Sequence, residues 1–153
     1  MVMAAPVRLK DIVDALQIQV DELSSYVDTV TGKVHTVTRD EIRAAEEEEE
    51  EPDLDDEEFA IPWRVFTMDK TLVELPDKRE VNEWSIMEEF SESVKSSRIR
   101  GELLNAIQGA GAFRYFRDTI KRHRMEQDWY AFRDDALRQI AIDWCEENDI
   151  PYA

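Results

Sequence analysis

The chain has 153 residues, 36 of them acidic and 19 basic, for a net charge of −17. That length suits one domain with a sizeable core, and the charge excludes attraction to nucleic acid or anionic lipid as a property of the whole surface. The single cysteine, Cys145, excludes an internal disulfide. Residues 1–6 read as a disordered start, the opening MVMAAPVRLKDIVDAL lacks the long uninterrupted apolar region of a signal peptide, and no apolar run approaches the roughly 18 residues of a spanning helix. A cytoplasmic protein with no membrane partner is expected. Leu9, Ile12, Val13 and Leu16 recur at helical spacing, with Asp11 and Asp14 outside, which predicts a helix from Val7 to near Gln19.

Residues 24–38, SSYVDTVTGKVHTVT, are dense in β-branched side chains, with Thr31-Gly32 midway. Glycine supplies the positive φ of a tight turn, so the segment predicts a hairpin of Ser25–Thr29 with Lys33–Val37. A lone hairpin is marginal in water, so this one is expected to lie on the helical half that follows. Thr38-x-x-Glu41 is a capping-box pattern opening a helix whose apolar anchors are Ile42 and Ala45. Six consecutive glutamates, Glu46–Glu51, then offer no apolar face and repel one another, and Pro52 stops any helix. Residues 46–58 read as a solvated acidic linker. In Phe59–Pro76, Pro62 suits the first turn of a short helix, while Trp63–Thr67 also fits a strand. Leu72–Leu75 should be extended, because Pro76 pushes its predecessor out of the helical region.

From Val81 the pattern is helical. Trp84, Met87, Phe90 and Val94 mark one helix. Ser96 or Ser97 caps a second, with Ile99, Leu103, Ala106 and Ile107 inward, and Gly109-Ala110-Gly111 ends it. Ala112, Phe113, Phe116 and Ile120 make a third. A fourth starts at Asp128, where Trp129, Phe132, Leu137, Ile140 and Trp144 form one stripe, and Ile150-Pro151 closes it. The expected fold class is α+β, an N-terminal helix and β-hairpin followed by a mostly α-helical bundle of about four helices. The expected organisation is helix, hairpin and acidic helix start over 1–45, linker over 46–58 and a mainly helical half over 59–153, forming one compact domain. Its core would be Phe90, Phe113, Phe116, Trp129, Phe132, Leu137 and Ile140.

Several segments together resemble a known kind of family. These are VRLKDIVDALQIQVDELSSYVDTVTGKV, the glutamate-rich middle, ELPDKREVNEWSIMEEF, GAFRYFRDTI and WYAFRDDALRQIAIDWCEEN. In them the chain is similar to one of the uncharacterised families of small acidic bacterial proteins. The resemblance implies a bacterial cytoplasmic origin and brings no catalytic residues with it.

Groups able to carry chemistry are sparse. His35 and His123 have no partner at metal-ligand spacing and read as surface residues. Cys145 has no cationic neighbour to lower its pKa and reads as a packed thiol. Phosphate-loop, dinucleotide and nucleophile-elbow motifs are absent from the sequence. No catalytic residue, metal ligand, cofactor or small molecule is assigned. The sharpest signal is charge separation. Arg39–Glu58 holds thirteen acids against two bases, whereas Arg98–Arg124 holds seven bases against two acids. Arg114, Arg117 and Lys121 share a helical face; Arg122 and Arg124 follow, and Tyr130 and Arg133 lie one turn into the next helix. These seven residues are the candidate site for a partner surface or phosphate. The plain alternative is that the molecule's own acids neutralise them and their stems cover apolar surface. If the face is functional, the glutamate run could screen it as a tethered competitor. The expected function is therefore non-enzymatic, acting through a protein partner or as a homo-oligomer. A nucleic-acid role, through the basic face or an acidic mimic of a phosphate backbone, is the second reading, and an enzyme the third.

Overall fold

The computed structural model describes residues 5–18, 20–48 and 50–153. Residues 1–4 of the expected disordered start, Gln19 at the expected end of the first helix, and Glu49 of the glutamate run lie outside the described residues. Two units divide the chain: Met1–Glu80 with Ile140–Ala153, and Val81–Gln139.

In the first unit, α1 (Leu9–Leu16) buries Leu9, Ile12 and Leu16. The expected hairpin is present as β1 (Leu23–Asp28) and β2 (Val34–Thr38), and β3 (Leu72–Glu74) joins it in an antiparallel sheet of order β2-β1-β3. Val27 pairs with Val34 on one side and Val73 on the other, which places Tyr26 opposite both His35 and Glu74. Gly32 has φ +74°, and a Cβ there would stand 2.6 Å from the Pro6 carbonyl oxygen, so the turn and the entering chain need glycine at that position. Val7, on entry to α1, is stitched to the last residues of the chain. Val7 N–H donates to the Pro151 oxygen at 3.0 Å, and Ala153 N–H donates to the Val7 oxygen at 2.9 Å. The hairpin's support lies in its own unit, where β2 packs on α1, on α2 (Arg39–Glu46) and on α3 (Glu57–Phe66).

The Thr38 capping box forms in full. Thr38 Oγ1 accepts from Glu41 N–H and a Glu41 carboxylate oxygen accepts from Thr38 N–H, each at 3.0 Å. α3 begins earlier than the proline suggests, so that Pro62 lies inside it. Asp56 caps the helix by accepting from Glu58 N–H at 3.2 Å, and Glu57 and Glu58 suit the positive end of the helix dipole. The last acids of the acidic stretch are thus the first turn of a helix. Pro62 is buried, and it denies the Glu58 carbonyl its helical donor.

The second unit holds α5 (Glu83–Ser93), α6 (Ser97–Ala106) and α7 (Ala112–Arg122), preceded by the single turn α4 (Lys78–Val81). The long α8 (Glu126–Glu147) contributes its residues up to Gln139 here and those from Ile140 to the first unit. Ser96 is the cap of α6, accepting from Ile99 N–H at 3.3 Å. Aromatic rings meet edge to face at the centre: Phe116 and Trp129 at 4.8 Å, Phe90 and Phe132 at 5.3 Å, Phe90 and Trp129 at 5.4 Å. Trp84 satisfies its indole N–H on the Ile107 carbonyl at 2.9 Å.

Phe113 is not part of this core and is 46% exposed. The buried face of α7 is carried by Ala112, Phe116, Thr119 and Ile120, and Phe113 sits on its flank, about 60° around the helix from Phe116. The last helix also starts two residues before Asp128, at Glu126. Among the described residues no helix is long and apolar enough to cross a membrane.

Candidate functional site

α7 is bounded by a glycine at its start and an unusual ending. Gly111, at φ +78°, is its N-cap, and the Tyr115 ring lies so close that a Cβ there would stand 3.0 Å from it. The Arg114 guanidinium lies over that same ring, 5.0 Å from its centroid. At the other end Arg124 takes the left-handed conformation, φ 55°, that glycine usually supplies. Its N–H donates to the Lys121 carbonyl and Met125 N–H donates to the Ile120 carbonyl, closing the helix with both bonds of a Schellman motif. An arginine held there sits at the negative end of the helix dipole.

Between these ends, Phe113, Arg117, Lys121 and Arg114 fall within about 100° of the exposed arc of α7 at 100° per residue. All four are exposed, and Tyr115 is 47% exposed. Among the described residues no carboxylate lies within ion-pair distance of Arg114, Arg117, Lys121 or Arg124. Three cations nearby are paired with carboxylates. Glu102 on α6 draws Arg122 at 3.6 Å and Arg98 at 3.8 Å, and it shares a hydrogen bond with His123 Nε2. That hydrogen bond, with the nearby Arg122 and Arg98, holds the Glu102 carboxyl below the usual carboxylate range. His123 is therefore a half-buried side chain with a carboxylate partner, not the plain surface residue its place in a basic turn suggests. Arg133 pairs with Glu83 at 2.7 Å, both side chains about four-fifths covered, while Tyr130 is 58% exposed on α8. Of the seven sequence candidates, then, three share the open arc and Arg124 closes the same helix.

The first unit holds two further groupings. An open cleft of about 590 Å³ runs beside the hairpin turn, with Arg8, Asp11, Lys33, His35 and Glu57 in its walls. Its cations face acids of their own, Arg8 with Asp11 at 3.9 Å and Lys33 with Glu57 at 3.3 Å. Burial lowers the His35 pKa against the pull of Glu57 and Asp28. Across the sheet, Tyr26 stands between His35 and Glu74. Burial and then the Glu74 charge raise the Tyr26 pKa; burial and then Asp77 and Glu80 raise that of Glu74. Of this row only His35 lines the cleft. Cys145 is fully buried, and burial pushes its thiol up to about 11, which leaves it unreactive near neutrality.

The sequence is 26% identical over 145 residues to a UPF0158 protein of Pseudomonas aeruginosa, covering 88% of this chain and 85% of the relative. No solved structure matches the chain. Residues 4–153 match the family described as Uncharacterised protein family (UPF0158). With nearly its whole length in that match, the chain belongs to this family.

Proposed function

We propose that the protein is a cytoplasmic, non-catalytic binding module that docks an acidic surface of a protein partner on the outer arc of α7. One observation carries this reading: Arg114, Arg117 and Lys121 stand without a carboxylate among the described residues, beside exposed Phe113 and Tyr115, in a chain of net charge −17. Where neutralisation inside the molecule operates, it is visible, at Glu102 and Glu83. The α7 arc escapes it despite an excess of 17 acids. Arginine with exposed aromatic rings is the composition that concentrates energy in protein interfaces. A polyanion would meet the same cations, but an 11-residue helix spans only about 16 Å, and the remaining charge repels a long phosphate backbone.

A photocrosslinking residue at position 113, used in native cell extract, tests the proposal. The expected result is a protein adduct that survives nuclease and disappears when Arg114→Ala and Arg117→Ala are introduced. Adducts destroyed by nuclease would favour the nucleic-acid reading; no adduct at all would remove the docking face.

A further inference from the structure

The first unit presents a face of opposite character on α3. Phe59, Trp63 and Phe66 follow at spacings of four and three and so fall on one stripe. Phe59 is 58% and Phe66 39% exposed, and the Trp63 and Phe66 rings lie 6.2 Å apart. Leu54 and Met68, 54% and 83% exposed, add apolar surface just before and after the helix. The side of α3 that builds its own unit is Ala60, Ile61 and Pro62. Trp63 is half-buried between Phe59 and Phe66, whose exposed rings the core of the unit leaves uncovered, and exposed apolar side chains grouped in this way mark a contact surface. Acids surround its N-terminal end: Asp53, Asp55, Asp56, Glu57 and Glu58, of which only Glu57 has an ion-pair partner among the described residues, Lys33.

We infer that the occupant of this face is the α7 arc of a second copy of the chain, an inference that rests on α7 being a protein-docking face. Charge selects this pairing. Two copies of net charge −17 repel each other in most orientations. Setting α3 against α3 or α7 against α7 would oppose like charges, whereas α3 against α7 brings acids to cations and aromatic rings to aromatic rings. The two helices match in length, at 10 and 11 residues. The contact joins different faces, so it either closes reciprocally into a dimer or continues head to tail.

Sedimentation velocity on the full chain tests this with two variants, both altered only at exposed side chains. One carries Phe59→Ser and Phe66→Ser, the other Arg114→Glu and Arg117→Glu. The wild-type mass should rise with concentration and rise less in high salt. Each variant alone should associate at least about tenfold more weakly. Mixing them restores one intact α3 face and one intact α7 face, so the mixture should associate where neither variant does. A wild type that stays monomeric at sub-millimolar concentration overturns the inference, and so does a mixture that stays monomeric. If the position-113 adduct still forms with another protein, only the second-copy inference falls. If no adduct forms, the docking face falls with it.

Discussion

Arg64 places one guanidinium between carboxylates that lie 36 residues before it and five residues after it. Nη1 donates to Asp28 at 2.9 Å, Nε to Asp69 at 2.7 Å and Nη2 to Thr71 Oγ1 at 2.7 Å. Asp69 also accepts from the Thr71 N–H and hydroxyl, and the Thr71 carbonyl accepts from Thr29, so the network ties α3 to the end of the β1–β3 pairing where Asp28 stands opposite Leu72. Burial alone would raise the Asp28 carboxyl; the Arg64 and Val30 hydrogen bonds outweigh it and hold it low. At Asp69 the Arg64 hydrogen bond, then the Thr71 N–H, lower the pKa from 3.8 to about 2. Because the folded value lies below the unfolded one, the stabilisation is complete above the unfolded value and disappears as pH falls through about 2. At about 1.4 kcal/mol per unit, this is of the order of 2 kcal/mol. Asp69→Asn should therefore lose about 2 kcal/mol near neutrality and show a flatter decline between about pH 4 and pH 2 than the wild type, in urea unfolding followed across that range. Parallel declines in the two proteins would show that Asp69 carries no linked proton.

Among the described residues, three helices end on a non-glycine residue with positive φ: Met68 after α3, Arg124 after α7 and Asp149 after α8. Each is followed by an N–H that reaches back over the last turn: Asp69 to the Arg64 carbonyl, Met125 to Ile120, Ile150 to Cys145. The left-handed conformation costs an ordinary L-residue about 1–2 kcal/mol. Met68, 83% exposed, contributes little packing against that cost. Met68→Gly should raise stability by about 1 kcal/mol, measured as a shift of the denaturant midpoint with unchanged m-value; a loss would mean the Met68 side chain is engaged. These endings also show why the sequence was only partly legible. Signals that act within a few residues were readable: the Thr38-x-x-Glu41 box, the Thr31-Gly32 turn, the Gly109-Ala110-Gly111 break and the periodicity that groups Arg114, Arg117 and Lys121. Helix ends on methionine or arginine carry no such signal. Nor do partners chosen across long stretches of chain, such as Arg133 with Glu83, His123 with Glu102 or β3 with β1. Phe113 misled because periodicity places it on the flank of a buried stripe and cannot say how far the neighbouring helices reach.

For the whole molecule, the competition is between 36 acids repelling one another and a small number of ion pairs. Most of the pairs are solvent-exposed, such as Arg43 with Asp40 or Lys33 with Glu57, and pairs of that kind contribute about 0–1 kcal/mol each. Half-buried ones, such as Arg64 with Asp28 and Asp69 or Arg133 with Glu83, are shielded from added salt by their burial. The repulsion is concentrated where Arg39–Glu58 carries thirteen acids against two bases, and it is exposed to screening. Salt should therefore stabilise the fold: the Tm is expected to rise between about 10 mM and 300 mM sodium chloride, over which the Debye length falls from about 30 Å to below 8 Å. Removing residues 46–51 takes away six of the charges and should shrink that rise while increasing retention on an immobilised polyanion at low salt. The pairing of α3 with α7 between copies should respond in the opposite sense, weakening over the same range, since its charges attract. One titration, read by melting and by sedimentation, thus separates the two. A Tm that falls with salt would mean that ion pairs, not repulsion, set the electrostatics of this fold.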